Sequence, residues 1–197
     1  MKIITAESGP RLTLTVTDTE RATAKEVKND FKGITKKLDK SVRSVSDLKK
    51  VIVEKHPSQE DLKGKYRGRL IRYRRQIQKV FNDFLMDVQS ALEKLSKISD
   101  PDMLRLREIL AAEVGELSDG AEAILDLLND TDRDGFTKTL EQICAQMEKR
   151  QRSIKDVIDN QLFGHIDQDI LGKMRISELH FKIMRRARIL KQLARKG

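Results

Sequence analysis

The chain has 197 residues, of which 36% are charged, 38% hydrophobic and only 4% aromatic, with three prolines, ten glycines and no tryptophan. This balance excludes a β-rich globular domain, which needs more aromatic and turn-forming residues, and fits long helices with charged outer faces. The formal net charge of +9 favours anionic partners but carries no information about the fold. A single cysteine, Cys144, excludes an internal disulfide and fits a reducing compartment. The longest purely apolar run covers Ile109 to Ala112, whereas a membrane-spanning helix needs about 18 apolar residues. No N-terminal apolar core reads as a secretion signal. A cytoplasmic protein is therefore expected.

Residues 1–18 are expected to form an N-terminal arm. From Arg11 to Asp18 the apolar residues Leu12, Leu14 and Val16 alternate with Thr13, Thr15 and Thr17, which is the period-two pattern of a strand. Ile3 and Ile4 precede it across Ser8-Gly9-Pro10, so a small hairpin is expected, docked on the body or paired with another chain. A frayed tail is the alternative.

Residues 19–197 read as helix. Helix one starts near Thr17 or Asp18, with Glu20 placed for a capping box. Val27, Phe31, Ile34, Leu38, Val42, Val45, Leu48 and Ile52 follow at spacings of three and four, until His56-Pro57 ends the helix. Ser58 with Asp61 opens helix two, whose seam runs from Leu62 and Tyr66 to Leu92 and Leu95. Ser99-Asp100-Pro101 is a stop and restart, with Pro101 at the first helical position. Helix three carries a heptad-like series from Met103 to Leu128, and helix four one from Phe136 to Leu162. Gly164 is the expected stop of helix four, and helix five is expected from about Asp167 to Leu193. The predicted fold is all-α: an elongated antiparallel bundle of about five long helices with coiled-coil-like seams and a small N-terminal hairpin or strand.

The charges are segregated. Residues 62–82 contain eight basic residues and no acidic one: Lys63, Lys65, Arg67, Arg69, Arg72, Arg74, Arg75 and Lys79, with Tyr66 and Tyr73 among them. Residues 182–197 hold Lys182, Arg185, Arg186, Arg188, Lys191, Arg195 and Lys196, again without an acid. Residues 108–134 carry nine acids against the single base Arg133. A hairpin turn near residue 100 sets residue 70 beside 130 and residue 82 beside 118, so the basic run is expected to lie along the acidic one. A second turn near 165 would return the basic tail to the same pole. Part of the positive charge is then neutralised internally, and the surplus faces an anionic partner. An acidic protein surface, an anionic membrane and nucleic-acid phosphates would each suit it, with a partner protein as the leading expectation. Nucleic-acid binding or packaging by residues 62–79 and 182–196 is the alternative, with phosphate contacts from arginine and stacking from tyrosine.

Asp130-Thr-Asp-Arg-Asp-Gly-Phe-Thr-Lys-Thr-Leu-Glu141 matches the pattern of three acids, a glycine, five residues and a glutamate, and resembles the calcium loop of the EF-hand family. The resemblance implies carboxylate ligands from Asp130, Asp132, Asp134 and Glu141, the carbonyl of Phe136, and a sharp turn at Gly135. The loop departs from the family at Thr137 and Lys138 and has no second copy. An Asp-rich turn, with Asp134 capping helix four, is the alternative reading.

His56, His165 and His180 stand at no metal-ligand spacing, and no nucleophile elbow, phosphate loop or zinc motif is present. Cys144 falls on the apolar side of helix four, as a buried small hydrophobe would. The sequence thus points to a non-enzymatic scaffold or interaction protein. Homo-oligomerisation is expected from spare apolar seam on helix one or five. A calcium-responsive module is a further alternative.

Overall fold

The structure is a computed structural model and describes residues 17–55, 57–130 and 135–172. The expected N-terminal hairpin and the basic tail 182–197 lie outside the described residues. Helix α1 (Asp18–Val53) is followed by a short α2 (Gln59–Lys63), then α3 (Arg67–Leu95), α4 (Pro101–Leu127) and α5 (Phe136–Asp156). Helix α5 runs on without a break through a π-helical turn at Val157–Leu162, a short α6 (Phe163–His165) and a second π-helical turn at Ile166–Leu171. No strand occurs among the described residues.

The helix starts follow from local chemistry. Thr17 and Glu20 form a reciprocal capping box at α1, and Ser58 and Asp61 form another at α2. Asp100 accepts the backbone N–H groups of Asp102 and Met103 ahead of Pro101. The anticipated helix two is split. At Gly64 the chain turns out of α2, with the Gly64 N–H on Glu60 O and the Tyr66 N–H on Asp61 O. A Cβ at Gly64 would stand 3.2 Å from that Glu60 oxygen, so the turn favours a residue without one.

The apolar series account for the core. Every seam residue named for helix one is buried, and so is the whole series from Met103 to Leu128. Leu92 and Ile143 are only half-buried, and Cys144 takes the core position beside Ile143. Helix α1 packs on α3 and α5, and α4 packs on the same two helices. The long helices therefore close into a four-helix bundle with antiparallel neighbours.

Polar contacts around the rim match this register. Lys94 bonds Glu26 and Asp30, and Lys37 pairs with Asp87, across α1 and α3. Lys155 and Gln151 both reach Asp39 between α5 and α1. Arg150 holds Glu113 and Glu116 between α5 and α4. Exposed pairs of this kind contribute about 0–1 kcal/mol each, so they select register more than they stabilise.

Two expectations at the end of the chain are corrected. Gly164 does not stop the helix, and no new helix begins at Asp167. Ile154, Ile158, Leu162, Ile166 and Ile170 recur every fourth residue, and all are buried. On a 3.6-residue helix such a series would drift by about 40° per step and leave the core. The π-helical turns, with i→i+5 bonds such as Phe163 N–H to Ile158 O, add residues per turn and hold the stripe on the core. The α1 seam is fully buried within the chain and leaves no spare apolar face there, whereas most of the anticipated helix five lies outside the described residues. Ile71, Met86 and Leu104 are the exposed large hydrophobic residues among those described.

Gly33 and Gly115 are exposed helix-interior residues with nothing near an added Cβ. Gly33→Ala and Gly115→Ala should each raise unfolding free energy by about 1 kcal/mol in urea titration, because alanine favours helix over glycine by that amount. Glu20 provides a second test. Its carboxylate accepts the Thr17 N–H at 2.8 Å and, across the pole, the Ser99 N–H at 3.1 Å. These two backbone bonds hold its pKa below the ordinary value of 4.5. A lowered folded pKa gives stability that is complete above pH 4.5 and lost as the pH falls through the folded value. Thermal melts of Glu20→Gln should show a shallower loss below pH 4.5 than the parent.

Candidate anionic-partner interface

The basic residues predicted to act together are placed by α2, the turn after it and the first half of α3. Apolar Leu62, Tyr66, Leu70 and Ile77 point into the core. Lys63, Lys65, Arg67, Arg69, Arg72, Arg74, Arg75 and Lys79 are thereby turned outward, and all eight are exposed. Lys65, Arg67, Arg69, Arg72, Arg74, Arg75 and Lys79 make no ion pair among the described residues. Lys65 and Arg69 instead stack over the Tyr66 ring, at 6.0 and 5.8 Å from its centroid. Their aliphatic stems cover the ring while the charges stay in water.

The predicted register is seen: Leu128 and Asn129 at the end of α4 line one cleft with Leu70 and Arg74. The predicted neutralisation is not seen among the described residues. Glu113 and Glu116 turn to Arg150 on α5, and Asp119, Glu122 and Asp126 are exposed without an ion pair. The two charged runs lie on neighbouring helices, but both face outward.

The start of α3 intensifies the positive field. Helices α1, α2 and α4 each begin with a capping side chain and an acid in the first turn, which complements the positive end of the helix dipole. Helix α3 begins at Tyr66 with no side-chain cap and no acid in its first turn, and carries Arg67 and Arg69 there. The side-chain charges and the dipole therefore add at this point.

The tail residues Lys182, Arg185, Arg186, Arg188, Lys191, Arg195 and Lys196 lie outside the described residues. The turn near 165 that was to bring them to this pole is replaced by continuous helix. Lys28 meets Asp167, so the described chain ends beside the start of α1, at the pole opposite Arg67.

The calcium-loop reading also changes. Asp132 and Asp134 lie outside the described residues. Gly135 has φ +74°, the left-handed conformation expected of glycine. It occupies the N-cap position anticipated for Asp134. Phe136 is the first residue of α5, so its carbonyl is directed along the helix toward the next turn instead of toward a loop-bound ion. The described geometry thus gives the calcium reading no support.

Sequence spacing missed one constellation. Asp100, Asp102 and His165 come together, although His165 is far from both in sequence. His165 Nε2 lies 3.0 Å from Asp100 Oδ1. That same oxygen already accepts the Asp102 and Met103 N–H groups, so the cluster is explained by capping of α4 and docking of α6 on it. Among the described residues no helix is long and apolar enough to cross a membrane. Compared with protein-family models, characterised proteins and solved structures, the chain matches none.

Cys144 is buried, and desolvation pushes its thiol up to about 11. A thiolate-directed reagent at mildly alkaline pH should label it at least about a hundredfold more slowly in the native protein than in urea-unfolded chain. This is measurable by absorbance or mass spectrometry.

Proposed function

We propose that the protein is a non-enzymatic helical interaction module that presents the basic face of α3 to an acidic protein surface. The observation that carries this reading is that the exposed Lys65, Arg67, Arg69, Arg72, Arg74, Arg75 and Lys79, on the turn after α2 and on α3, have no ion pair among the described residues, at a helix start without a side-chain cap. Like charges so placed repel one another, and an external anion relieves that repulsion. Arginine predominates, and its planar fork matches carboxylates in bidentate geometry.

Nucleic acid shares the anionic character but finds less here. Tyr66 is buried, Tyr73 is half-buried, and no aromatic side chain is exposed among the described residues. Base stacking, which supports single-strand binding at about 1–3 kcal/mol per base, has no platform on this face. The fold serves as a rigid support on this reading, and a cytoplasmic location and self-association belong to the same proposal as open elements.

Fluorescence anisotropy with a glutamate-rich peptide tests it, with duplex DNA and single-stranded RNA as competitors. Arg72→Glu/Arg74→Glu/Arg75→Glu should weaken peptide binding at least about tenfold, and added salt should do the same for the parent. The melting temperature should be unchanged, because none of the three side chains makes an ion pair. Peptide affinity that survives the triple substitution overturns the proposal. Tighter, equally substitution-sensitive binding of DNA or RNA replaces the protein partner with nucleic acid.

A further inference from the structure

On the flank of α3 that turns toward the end of α4, the basic face is interrupted by a cleft of mixed aliphatic and polar lining. The cleft has a volume of about 400 Å³, and its aliphatic lining comes from Leu62, Leu70, Ile71 and Leu128. Arg67, Arg74 and Lys63 stand on its rim. Ile71 is 44% exposed, a large aliphatic group facing water among cations. Arg67, Leu70 with Ile71, and Arg74 occupy successive turns of one helix flank. Arg67 and Arg74 are thus two turns apart, their backbone positions about 10.5 Å along the axis, with the aliphatic surface between them.

From this geometry we infer that the cleft receives an acidic amphipathic helix, with carboxylates at positions i and i+7 and an aliphatic side chain at i+3 or i+4. The inference rests on the proposed basic-face function and gives its partner a pattern. A ligand helix has the same rise as α3, so acids at i and i+7 are also about 10.5 Å apart. Each can meet one arginine while the intervening leucine or isoleucine covers Ile71 and enters the cleft. This is helix-in-groove recognition, with carboxylate–arginine pairs at the rim and one apolar anchor at the centre. A ligand of charge alone would leave Ile71 wet. A purely apolar ligand would desolvate Arg67 and Arg74 without replacing their hydration.

Three labelled helical peptides of equal net charge test the pattern against the full chain. One carries Glu at i and i+7 with Leu at i+4, the second has Ser in place of that Leu, and the third is a scramble of the first. The patterned peptide should bind about tenfold more tightly than the Ser and scrambled forms. Ile71→Ser, and Asn129→Tyr, which fills the cleft from its exposed edge, should each remove that preference while leaving the Ser peptide's affinity unchanged. Arg72→Glu/Arg75→Glu, on the outer face, should weaken all three peptides by one common factor. Equal binding of the three peptides, or a preference that survives both cleft variants, overturns the cleft and leaves the basic-face function standing. Absence of salt-sensitive binding by any peptide overturns both.

Discussion

Each long helix carries an apolar stripe that needs neighbours on two sides, and the bundle closes because four such stripes can satisfy one another. Phe31, Ile34 and Leu38 of α1, Phe84 and Leu95 of α3, Leu110 and Leu117 of α4, and Ile158 and Leu162 of the α5 extension are all essentially inaccessible to water. Burial of this kind, at about 25 cal/mol per Å² of apolar surface, is not directional in itself. Direction comes from the stripes: once each faces the common axis, every other side chain has an assigned outward position. The location of the charges is a consequence of the core and was not selected by ion pairing.

This order of causes explains why opposite charges on α3 and α4 do not meet. The stripe of α3 is set by Leu70, Ile77, Phe81 and Phe84, and that of α4 by Leu110, Leu117 and Ile124. The residues opposite these stripes point away from the bundle on both helices, side by side and parallel. Rotating either helix to pair Arg72 or Arg75 with Asp119 or Glu122 would carry large side chains out of the core. Several exposed pairs at about 0–1 kcal/mol each cannot offset even one lost Phe or Leu, at about 2–5 kcal/mol. Pairs such as Arg150 with Glu113 form only where the stripe already leaves both groups at a helix–helix seam.

The same hierarchy decides what could be read from residues alone. Stripes, the Thr17, Ser58 and Asp100 caps and the hairpin register were legible, because each depends on neighbours within a turn or on a connection of a few residues. The end of α5 was not. Glycine at 164 is a common local stop, but five buried residues at a spacing of four outweigh it, and π-helical turns reconcile that spacing with the core. The break at Gly64 was hidden by a seam that continues across it, since Leu62 and Tyr66 remain buried on either side. Neither the cleft nor the cluster of Asp100, Asp102 and His165 had a sequence signal, because each joins residues from separate elements. Of the candidate interface, composition identified the α2–α3 basic residues, but only geometry showed that Lys65 and the basic residues of α3 from Arg67 to Lys79 make no ion pair among the described residues and that the tyrosines are withdrawn.

The start of α3 breaks a local rule that α1, α2 and α4 keep. Helices α1, α2 and α4 begin with a capping side chain and an acid, α3 and α5 begin with neither, and α3 carries Arg67 and Arg69 in its first turn. An acid at Arg67 or Arg69 would suit the helix dipole by about 0.3–1 kcal/mol at no cost to the core, since both positions are exposed. Local rules broken without a compensating gain inside the fold mark positions shaped by something outside it. On the function proposed above, an acidic partner with an apolar anchor would complement the uncapped start of α3, the exposed Arg67 and Arg69 and the exposed Ile71 together.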